Sequence, residues 1–307
     1  MAEISPELRK LLENQQYAFI GRHSAIKICE WTKKSLRDEG FCYKQKFYGI
    51  QSHRCCQITP SVGFCQNRCI FCWRPIEYTE GIKLTGKLDS PKELIKNAIK
   101  AQQKQLIGFK GNKKVNKKKL EESMHPNQFA ISLAGEPTLY PKLNGLIKEI
   151  KKIKATSFLV TNGLQPDVLK KLNPLPTNLY ISLDAPNEKL FMKIDRPVIK
   201  DAWKKLNKSL EIMSKTKTTT VIRLTLIRNM NIVEPENYAK LIKKASPNFV
   251  ELKAYMFVGF SRLRLDMSNM PLHFEIKDFA KQLVRYLPNY RIKDEKKESR
   301  VVLLARD

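Results

Sequence analysis

Short apolar runs alternate with Lys-rich amphipathic segments through the middle of the chain. Each run is rich in Val, Ile and Leu and ends in polar or glycine residues, which is typical of parallel strands covered on both faces. Between the runs, residues 143–153 and 202–213 place apolar side chains at helical spacing. With one further run before Cys65, the pattern predicts an α/β fold, a partial (β/α)6 TIM-type barrel whose chemistry lies at the carboxyl ends of the strands. The other apolar runs are residues 129–133, 157–161, 179–183, 220–227 and 249–256.

Both ends of the chain depart from this alternation. Residues 6–12 and 26–31 have helical apolar spacing, and residues 47–59 form a β-type run that leads into a cysteine loop. At the other end, residues 290–305 predict a final pair of strands. We therefore expect an N-terminal extension over residues 1–60, the barrel over 61–260, and a C-terminal segment over 261–307 that packs on the barrel.

The charge of the chain narrows the choice of partners. The chain has 57 Lys and Arg against 30 Asp and Glu, which gives 57 − 30 = +27. An excess of this size indicates a polyanionic partner, above all nucleic acid. Lysine enrichment in a heat-adapted protein is an alternative, but that normally raises Glu in parallel. The basic stretch 104–122 lacks a phosphate-loop motif and is either a solvated face or a flexible nucleic-acid contact; Phe109 and two glycines favour the contact.

Three cysteines on one short loop predict a metal centre. Cys65, Cys69 and Cys72 form a CxxxCxxC spacing, with aromatic residues directly before and after Cys72. Three thiolates at this spacing can hold three irons of a 4Fe–4S cube and leave the fourth iron open to a small molecule. Zinc is the alternative, but a structural zinc usually takes four ligands, and no Cys or His follows closely after Cys72. The spacing therefore favours an iron–sulfur cluster.

The same loop resembles that of the radical S-adenosylmethionine (SAM) superfamily, in which the open iron binds SAM and the cluster cleaves it to a 5′-deoxyadenosyl radical. Ala134-Gly135-Glu136, after a predicted strand, resembles the superfamily's Gly-Gly-Glu segment, with Ala134 in place of the first glycine. The resemblance implies that this segment binds SAM and that Glu136 accepts a hydrogen bond from its amine. A helix-entry turn is the alternative. Asn162 and Ser182 also end predicted strands and are candidates for SAM or target-base contacts, although each suits a helix cap equally.

The remaining cysteines indicate a reducing compartment and metal binding. The count of seven is odd, and the sequence shows neither a leader-type apolar segment at its start nor an apolar run of membrane length. We therefore expect a cytoplasmic protein with no membrane association. Cys29, Cys42 and Cys55 recur at intervals of thirteen residues (42 − 29 = 13 and 55 − 42 = 13), too far apart for one loop but able to converge in the fold.

Taken together, the chain resembles one family, the archaeal tRNA 4-demethylwyosine synthases of wybutosine biosynthesis. The segments that carry the resemblance are residues 29, 42–44, 46–50, 53–55, 59–62, 65–73, 131–140, 180–185, 225–228 and 250–256. It implies that Cys29, Cys42 and Cys55 bind a second 4Fe–4S cluster. It also implies that Lys44 holds pyruvate as a Schiff base. This role is chemically reasonable, because a poorly solvated lysine is nucleophilic toward a ketone. An ordinary surface lysine is the alternative. The family pattern favours Cys55 as the ligand and its neighbour Cys56 as a buried thiol.

By this resemblance the protein is a radical SAM carbon–carbon lyase that condenses N1-methylguanosine at position 37 of tRNA-Phe with pyruvate to give 4-demethylwyosine. The target base must leave the anticodon stack to reach the cofactor. The expected partners are this tRNA, pyruvate and a separate electron-donor protein of the flavodoxin or ferredoxin type, and the expected state is a monomer. A radical SAM RNA methyltransferase or methylthiotransferase is the alternative enzyme. A non-catalytic zinc-containing RNA-binding protein is the alternative from another class.

Overall fold

The computed structural model describes residues 3–307, which divide into two units. The first unit comprises the described residues up to Cys65, Glu80–Val160 and Asn173–Thr177, and the second comprises Gln66–Thr79, Thr161–Leu172 and Asn178–Asp307. Each unit therefore combines stretches from distant parts of the chain. The domain boundaries expected near residues 60 and 260 remain a prediction.

Five strands and six helices make up most of the first unit. They are α1 (Pro6–Asn14), β1 (Ala18–Phe19), β2 (Ala25–Lys27), α2 (Glu30–Leu36), α3 (Tyr43–Tyr48), β3 (Cys55–Thr59), α4 (Pro91–Ile107), α5 (Lys117–Ser123), β4 (Gln128–Ile131), α6 (Leu143–Lys152) and β5 (Thr156–Thr161). Strand β2 pairs antiparallel with β1 and β3, whereas β3, β4 and β5 run parallel. In the parallel part Cys55 lies opposite Gln128, which lies opposite Thr156.

Apolar side chains on both faces of these parallel strands explain why they are central. Ile58, Phe129, Ile131 and Leu159 have no solvent-exposed surface. Burying a side chain of this size stabilises the fold by about 1.5–3 kcal/mol. Helix α4 covers the strands, and a reciprocal capping box between Ser90 and Glu93 fixes where it begins.

A separate apolar cluster joins helix α2 to the basic stretch. Its buried members are Ile28, Leu36, Leu106, Val115 and Leu120, with Phe109 and Met124 packed against them. Ile28 directly precedes Cys29, while Val115 and Leu120 flank a run of three lysines. The basic stretch is therefore anchored in the core beside one of the predicted cluster ligands.

The second unit also has five strands and five helices. They are α7 (Pro166–Lys170), β6 (Asn178–Ser182), α8 (Glu188–Ile194), α9 (Ala202–Met213), β7 (Thr219–Leu226), α10 (Pro235–Ala245), β8 (Phe249–Ala254), α11 (His273–Arg285), β9 (Tyr290–Lys296) and β10 (Val301–Arg306). Strands β6, β7 and β8 run parallel, and β10 pairs antiparallel with both β8 and β9. The predicted α/β class with parallel strands is confirmed, as is the final strand pair.

Two predictions near the N-terminus are wrong. The run 26–31 is not one helix, because Ile26 and Lys27 pair with Ile58 and Gln57 in the sheet and the helix begins only at Glu30. The run 47–59 is not one strand. Its first residues end helix α3, Gly49 takes a left-handed conformation (φ +71°), and the strand begins at Cys55.

Candidate functional site

Three cysteines of the first unit are placed at the starts of three elements. Cys29 precedes helix α2, Cys42 precedes helix α3, and Cys55 is the first residue of strand β3. All three are reduced cysteines with partly exposed residue surfaces. A residue at the start of an element is less constrained by the backbone hydrogen bonds of that element. Its side chain can therefore turn toward a shared centre.

The electrostatics of the Cys55 thiol connect it to the other two cysteines. Burial raises the pKa of the Cys55 thiol well above its usual range; the charged forms of Cys29 and Cys42 raise it further, while the Lys44 ammonium opposes the rise. Burial also raises the pKa of Cys29, against which the amides of Trp31 and Thr32 and the Lys44 charge act. Cys55 therefore interacts with both other thiols, and Lys44 acts on Cys55 and on Cys29. The prediction that they converge is consistent with this arrangement.

Ser52 connects the elements that carry these cysteines. Its hydroxyl accepts a hydrogen bond from the Cys42 amide at 2.9 Å, and its carbonyl accepts one from the Thr32 hydroxyl at 3.0 Å. Its own amide donates to the Gln45 side chain at 3.0 Å. One buried residue thus fixes the start of α3 relative to α2 and to the turn before Cys55.

Lys44 is not an ordinary surface lysine. It is 8 % exposed and lies in the first turn of helix α3. Its Nζ lies 5.1 Å from the centre of the Phe158 ring, and Phe158 is buried on strand β5. The ring covers the end of the side chain and shields its amine from bulk water. The lysine is thereby held between an apolar wall and the cysteine group.

Cys55 and its neighbour Cys56 differ sharply in environment. Cys56 has no exposed surface, and burial alone raises the pKa of its thiol far above the usual range. Cys55 instead interacts with Cys29 and Cys42. Across residues 3–307, no group of three or more His, Cys, Asp or Glu side chains is placed to hold a single metal ion. Soft thiolates are the donors that iron–sulfur clusters take, and the set of Cys29, Cys42 and Cys55 fits that chemistry.

The CxxxCxxC loop begins in the first unit, where the Ala134-Gly135-Glu136 segment packs against it. The Glu136 amide donates to Phe64 O at 2.7 Å, next to Cys65, and Ser61 Oγ donates to Glu136 O at 2.8 Å. Gly135 has φ +67°, and a Cβ placed there would lie 1.9 Å from Ser61 O. Only glycine allows this approach of the two backbones.

Glu136 is buried and partly engaged. Its Oε1 accepts from the Thr138 amide at 3.1 Å and from the Thr138 hydroxyl at 2.6 Å, so the carboxylate caps the short helix Pro137–Leu139. The helix-entry turn considered for this segment is therefore real. A role for Glu136, Gly135 and Ala134 in binding SAM remains a prediction.

Cys69 and Cys72 lie in the second unit, where the Cys72 amide donates to Cys69 O at 3.1 Å and so closes a turn. The Cys69 thiol donates to Asp195 Oδ1 at 3.3 Å. Burial, and secondarily the Asp184 carboxylate, raise the pKa of Asp195 well above its usual range. The carboxyl is thus held close to a predicted ligand and favoured in its neutral form.

Asn162 and Ser182 lie at the ends of β5 and β6, as the sequence predicts. The Asn162 side chain accepts from the Leu164 amide at 3.0 Å, a local turn contact. Ser182 ends its strand opposite Arg223, whose Nε donates to the buried Glu251 at 3.1 Å. These contacts are structural, and SAM contacts by either residue remain a prediction.

Sequence reasoning missed Ser52, Asp195 and Arg264, the last of which contacts the cysteine loop and is described below. Each acts through a contact with a residue distant in the sequence: Ser52 with Thr32, Asp195 with Cys69. A lone Ser, Asp or Arg carries no motif. Only the fold reveals them.

Two family models match the chain. Residues 59–242 match the radical SAM superfamily, and residues 244–306 match a family described as wyosine base formation. The first match covers more than half of the chain and includes the CxxxCxxC loop. The second begins near strand β8 and includes helix α11.

Named relatives extend the match to nearly the whole chain. The chain is 51% identical over 304 residues to the S-adenosyl-L-methionine-dependent tRNA 4-demethylwyosine synthase of Pyrococcus abyssi, covering 98% of this chain and 89% of that protein. It is 41% identical over 305 residues to the corresponding synthase of Mus musculus, covering 99% of this chain but 42% of the mouse protein. A solved structure of TYW1 with a lysine–pyruvate adduct bound matches with a TM-score of 0.89 at 38% identity, covering 99% of this chain and 96% of that one.

A second solved structure, of archaeal TYW1, matches with a TM-score of 0.81 at 35% identity, covering 99% of this chain and 96% of that one.

Within residues 3–307, none of the helices is both long and apolar enough to cross a membrane.

Proposed function

Because the chain belongs to the radical SAM superfamily and, within it, to the tRNA 4-demethylwyosine synthases, we propose that it condenses N1-methylguanosine at position 37 of tRNA-Phe with pyruvate to give 4-demethylwyosine. The family resemblance predicted from the sequence is confirmed, and it makes the chain an enzyme that uses SAM and a 4Fe–4S cluster. The observation that carries the specific reaction is the burial of Lys44, whose charge acts on the thiols of Cys55 and Cys29.

We assign the family's cluster and SAM to the CxxxCxxC loop. Cys65, Cys69 and Cys72 would hold three irons, and the segment 134–136 packs directly against the start of this loop. When bound, the cluster and SAM supply the one-electron chemistry that removes hydrogen from the N1-methyl group. The protein contributes the thiolates, the orientation of the loop and a buried setting.

We assign pyruvate to Lys44 and a second 4Fe–4S cluster to Cys29, Cys42 and Cys55. The Lys44 amine would attack the keto carbon of pyruvate, a C=N bond would form, and water would leave. Its position against the Phe158 ring supports this, since a lysine kept from bulk water is a better nucleophile. The similar structure with a lysine–pyruvate adduct supports the same assignment.

We assign tRNA phosphates to the basic stretch 104–122. Its exposed lysines include Lys110, Lys113, Lys114, Lys117 and Lys118, and residues 108–119 contain no acidic side chain. Each phosphate contact removed lowers the slope of log affinity against log salt by about one. A double charge reversal at 113 and 114 should therefore flatten this slope by about two, whereas the same change at the exposed Lys151 and Lys152 of α6 should not. Equal slopes would leave the stretch a solvated face.

Three further expectations complete the proposal. Electrons come from a separate flavodoxin- or ferredoxin-type protein, the enzyme is a monomer, and it works in the cytoplasm. Mixing the purified chain with a reduced flavodoxin in place of a chemical reductant, and following SAM cleavage, tests the first of these.

The decisive experiment supplies anaerobically reconstituted protein with N1-methylguanosine-containing tRNA, SAM, reductant and pyruvate labelled at its keto and methyl carbons. Label should enter the tRNA as a tricyclic base. SAM cleavage without label in the tRNA would refute the condensation. Methylated or methylthiolated RNA in its place would identify the alternative enzyme, and one zinc without sulfide would identify the non-catalytic protein.

A further inference from the structure

One arginine, Arg264, donates hydrogen bonds to the backbone of the segment that carries Cys69 and Cys72. Arg264 Nε donates to Ile70 O at 3.1 Å, and Nη2 donates to Cys72 O and, at 3.5 Å, to Arg74 O. The remaining nitrogen, Nη1, pairs with Glu77. Three carbonyls spaced two residues apart therefore converge on a single guanidinium, which only the forked geometry of arginine allows.

The segment before Arg264 is fixed to the same loop. The Phe260 amide donates to Trp73 O at 3.0 Å. Gly259 approaches Trp73 so closely that a Cβ would lie 2.4 Å from Trp73 O, and its φ is +59°. Leu265 and Ile70 pack in one buried cluster. The guanidinium is thus held in place from both sides.

The hydrogen bonds that Arg264 donates are charge-assisted and therefore strong. The Arg264 side chain is 10% exposed, whereas its only acidic partner on this loop, Glu77, is 44% exposed. A hydrogen bond from a charged donor to a buried acceptor is worth roughly twice a neutral one. Removing the guanidinium would leave the carbonyl oxygens of residues 70 and 72 without this hydrogen-bond donor. The cost in free energy would exceed that of losing one bond.

We propose that Arg264 is a positioning residue for the iron–sulfur cluster of the CxxxCxxC loop, holding Cys69 and Cys72 in register and raising the reduction potential of the cluster. A reduced cluster carries one more negative charge than an oxidised one, so a fixed cation behind Cys72 favours the reduced form. Arg264 belongs to the part matched as wyosine base formation, while the loop belongs to the radical SAM part. The inference rests on the proposed cluster but not on the tRNA reaction.

Four variants separate charge from geometry. R264Q removes the cation and the fork, and R264K keeps the cation but loses the fork. E77Q removes only the exposed carboxylate partner, and R262Q changes an exposed arginine two residues away. Each protein is reconstituted without tRNA. The potential is measured by redox titration of the electron paramagnetic resonance signal that changes when SAM is added, and retention is measured as iron lost to a chelator over time.

We expect R264Q to shift the midpoint potential to a more negative value and to speed iron loss at least about tenfold, the equivalent of one charge-assisted hydrogen bond. R264K should keep a potential near that of the wild type but still lose iron faster. E77Q, which removes the carboxylate that offsets the cation, should neither lower the potential nor speed iron loss, and R262Q should match the wild type in both. If R264Q does not fold, R264K alone decides through iron loss.

Wild-type behaviour in both R264Q and R264K would overturn the proposal, and so would a lower melting temperature of the metal-free R264Q protein with unchanged potential and retention. A wild-type protein that takes up no SAM-responsive cluster would instead refute the proposed function itself.

Discussion

Replacing Ser52 by Ala tests whether the cysteine group depends on one buried hydroxyl. The substitution removes the acceptor of the Cys42 amide, 2.9 Å away, while the backbone contacts of residue 52 with Thr32 and Gln45 stay available. A net hydrogen bond contributes about 1 kcal/mol, and a donor left without a partner away from water costs about 1–3 kcal/mol. Because the Cys42 amide is only partly buried, we expect a loss of about 1–2 kcal/mol.

Two measurements check this value. Urea unfolding of the metal-free, reduced protein should give the loss in unfolding free energy directly. Since α3 then begins less rigidly, iron of the cluster proposed at Cys29, Cys42 and Cys55 should exchange roughly fivefold to thirtyfold faster, as about 1–2 kcal/mol implies. Ser268→Ala, at an exposed serine, serves as the control. A Ser52→Ala protein as stable as this control would refute the reasoning.

Three further substitutions test other parts of the site. Lys44→Arg keeps a cation over Phe158 but cannot form a C=N bond with pyruvate. Borohydride should therefore no longer trap labelled pyruvate on the protein, while SAM cleavage continues. Trapping in this variant would exclude Lys44 as the residue that binds pyruvate. Gly135→Ala forces a Cβ to 1.9 Å from Ser61 O at φ +67°, so unfolding free energy should fall by about 3 kcal/mol or more, and a fully stable variant would contradict the geometry. Burial raises the pKa of Asp184 to about 6, so ionisation costs the folded state and stability should fall as pH rises from about 4 to 6. Asp184→Asn should remove roughly 2 kcal/mol of this fall, and identical pH profiles of the two proteins by denaturant unfolding would contradict the prediction.

The parallel strands could be predicted because each is a run of apolar residues that must be covered on both faces. The predicted run 179–183 and the observed β6, Asn178–Ser182, differ by one residue at each end. The N-terminal errors have a different cause. Ile26 has an apolar spacing that suits a helix, but pairing with Ile58 in the sheet overrides this local preference.

Some residues of the candidate site could likewise be predicted from the sequence, and others could not. Cys65, Cys69 and Cys72 are recognisable because a cluster needs three thiolates on one short loop. Ser52 and Arg264 could not be predicted, since their side chains bond to backbone groups elsewhere in the chain, the Cys42 amide and the Ile70 carbonyl. Such bonds depend on where the chain folds, and almost any residue type supplies the carbonyl or amide at the other end.

The apolar cluster beneath the basic stretch separates two kinds of change that this surface can undergo. Lys113 and Lys114 project into solvent, whereas Val115 and Leu120 pack with Ile28, the residue before Cys29. Surface charge can therefore be changed, by evolution or by design, for a different RNA or a different salt concentration without disturbing the predicted metal ligands. Exchanging the whole stretch for another loop would not be neutral, because its apolar residues pack against Ile28 and so support the thiol that follows it.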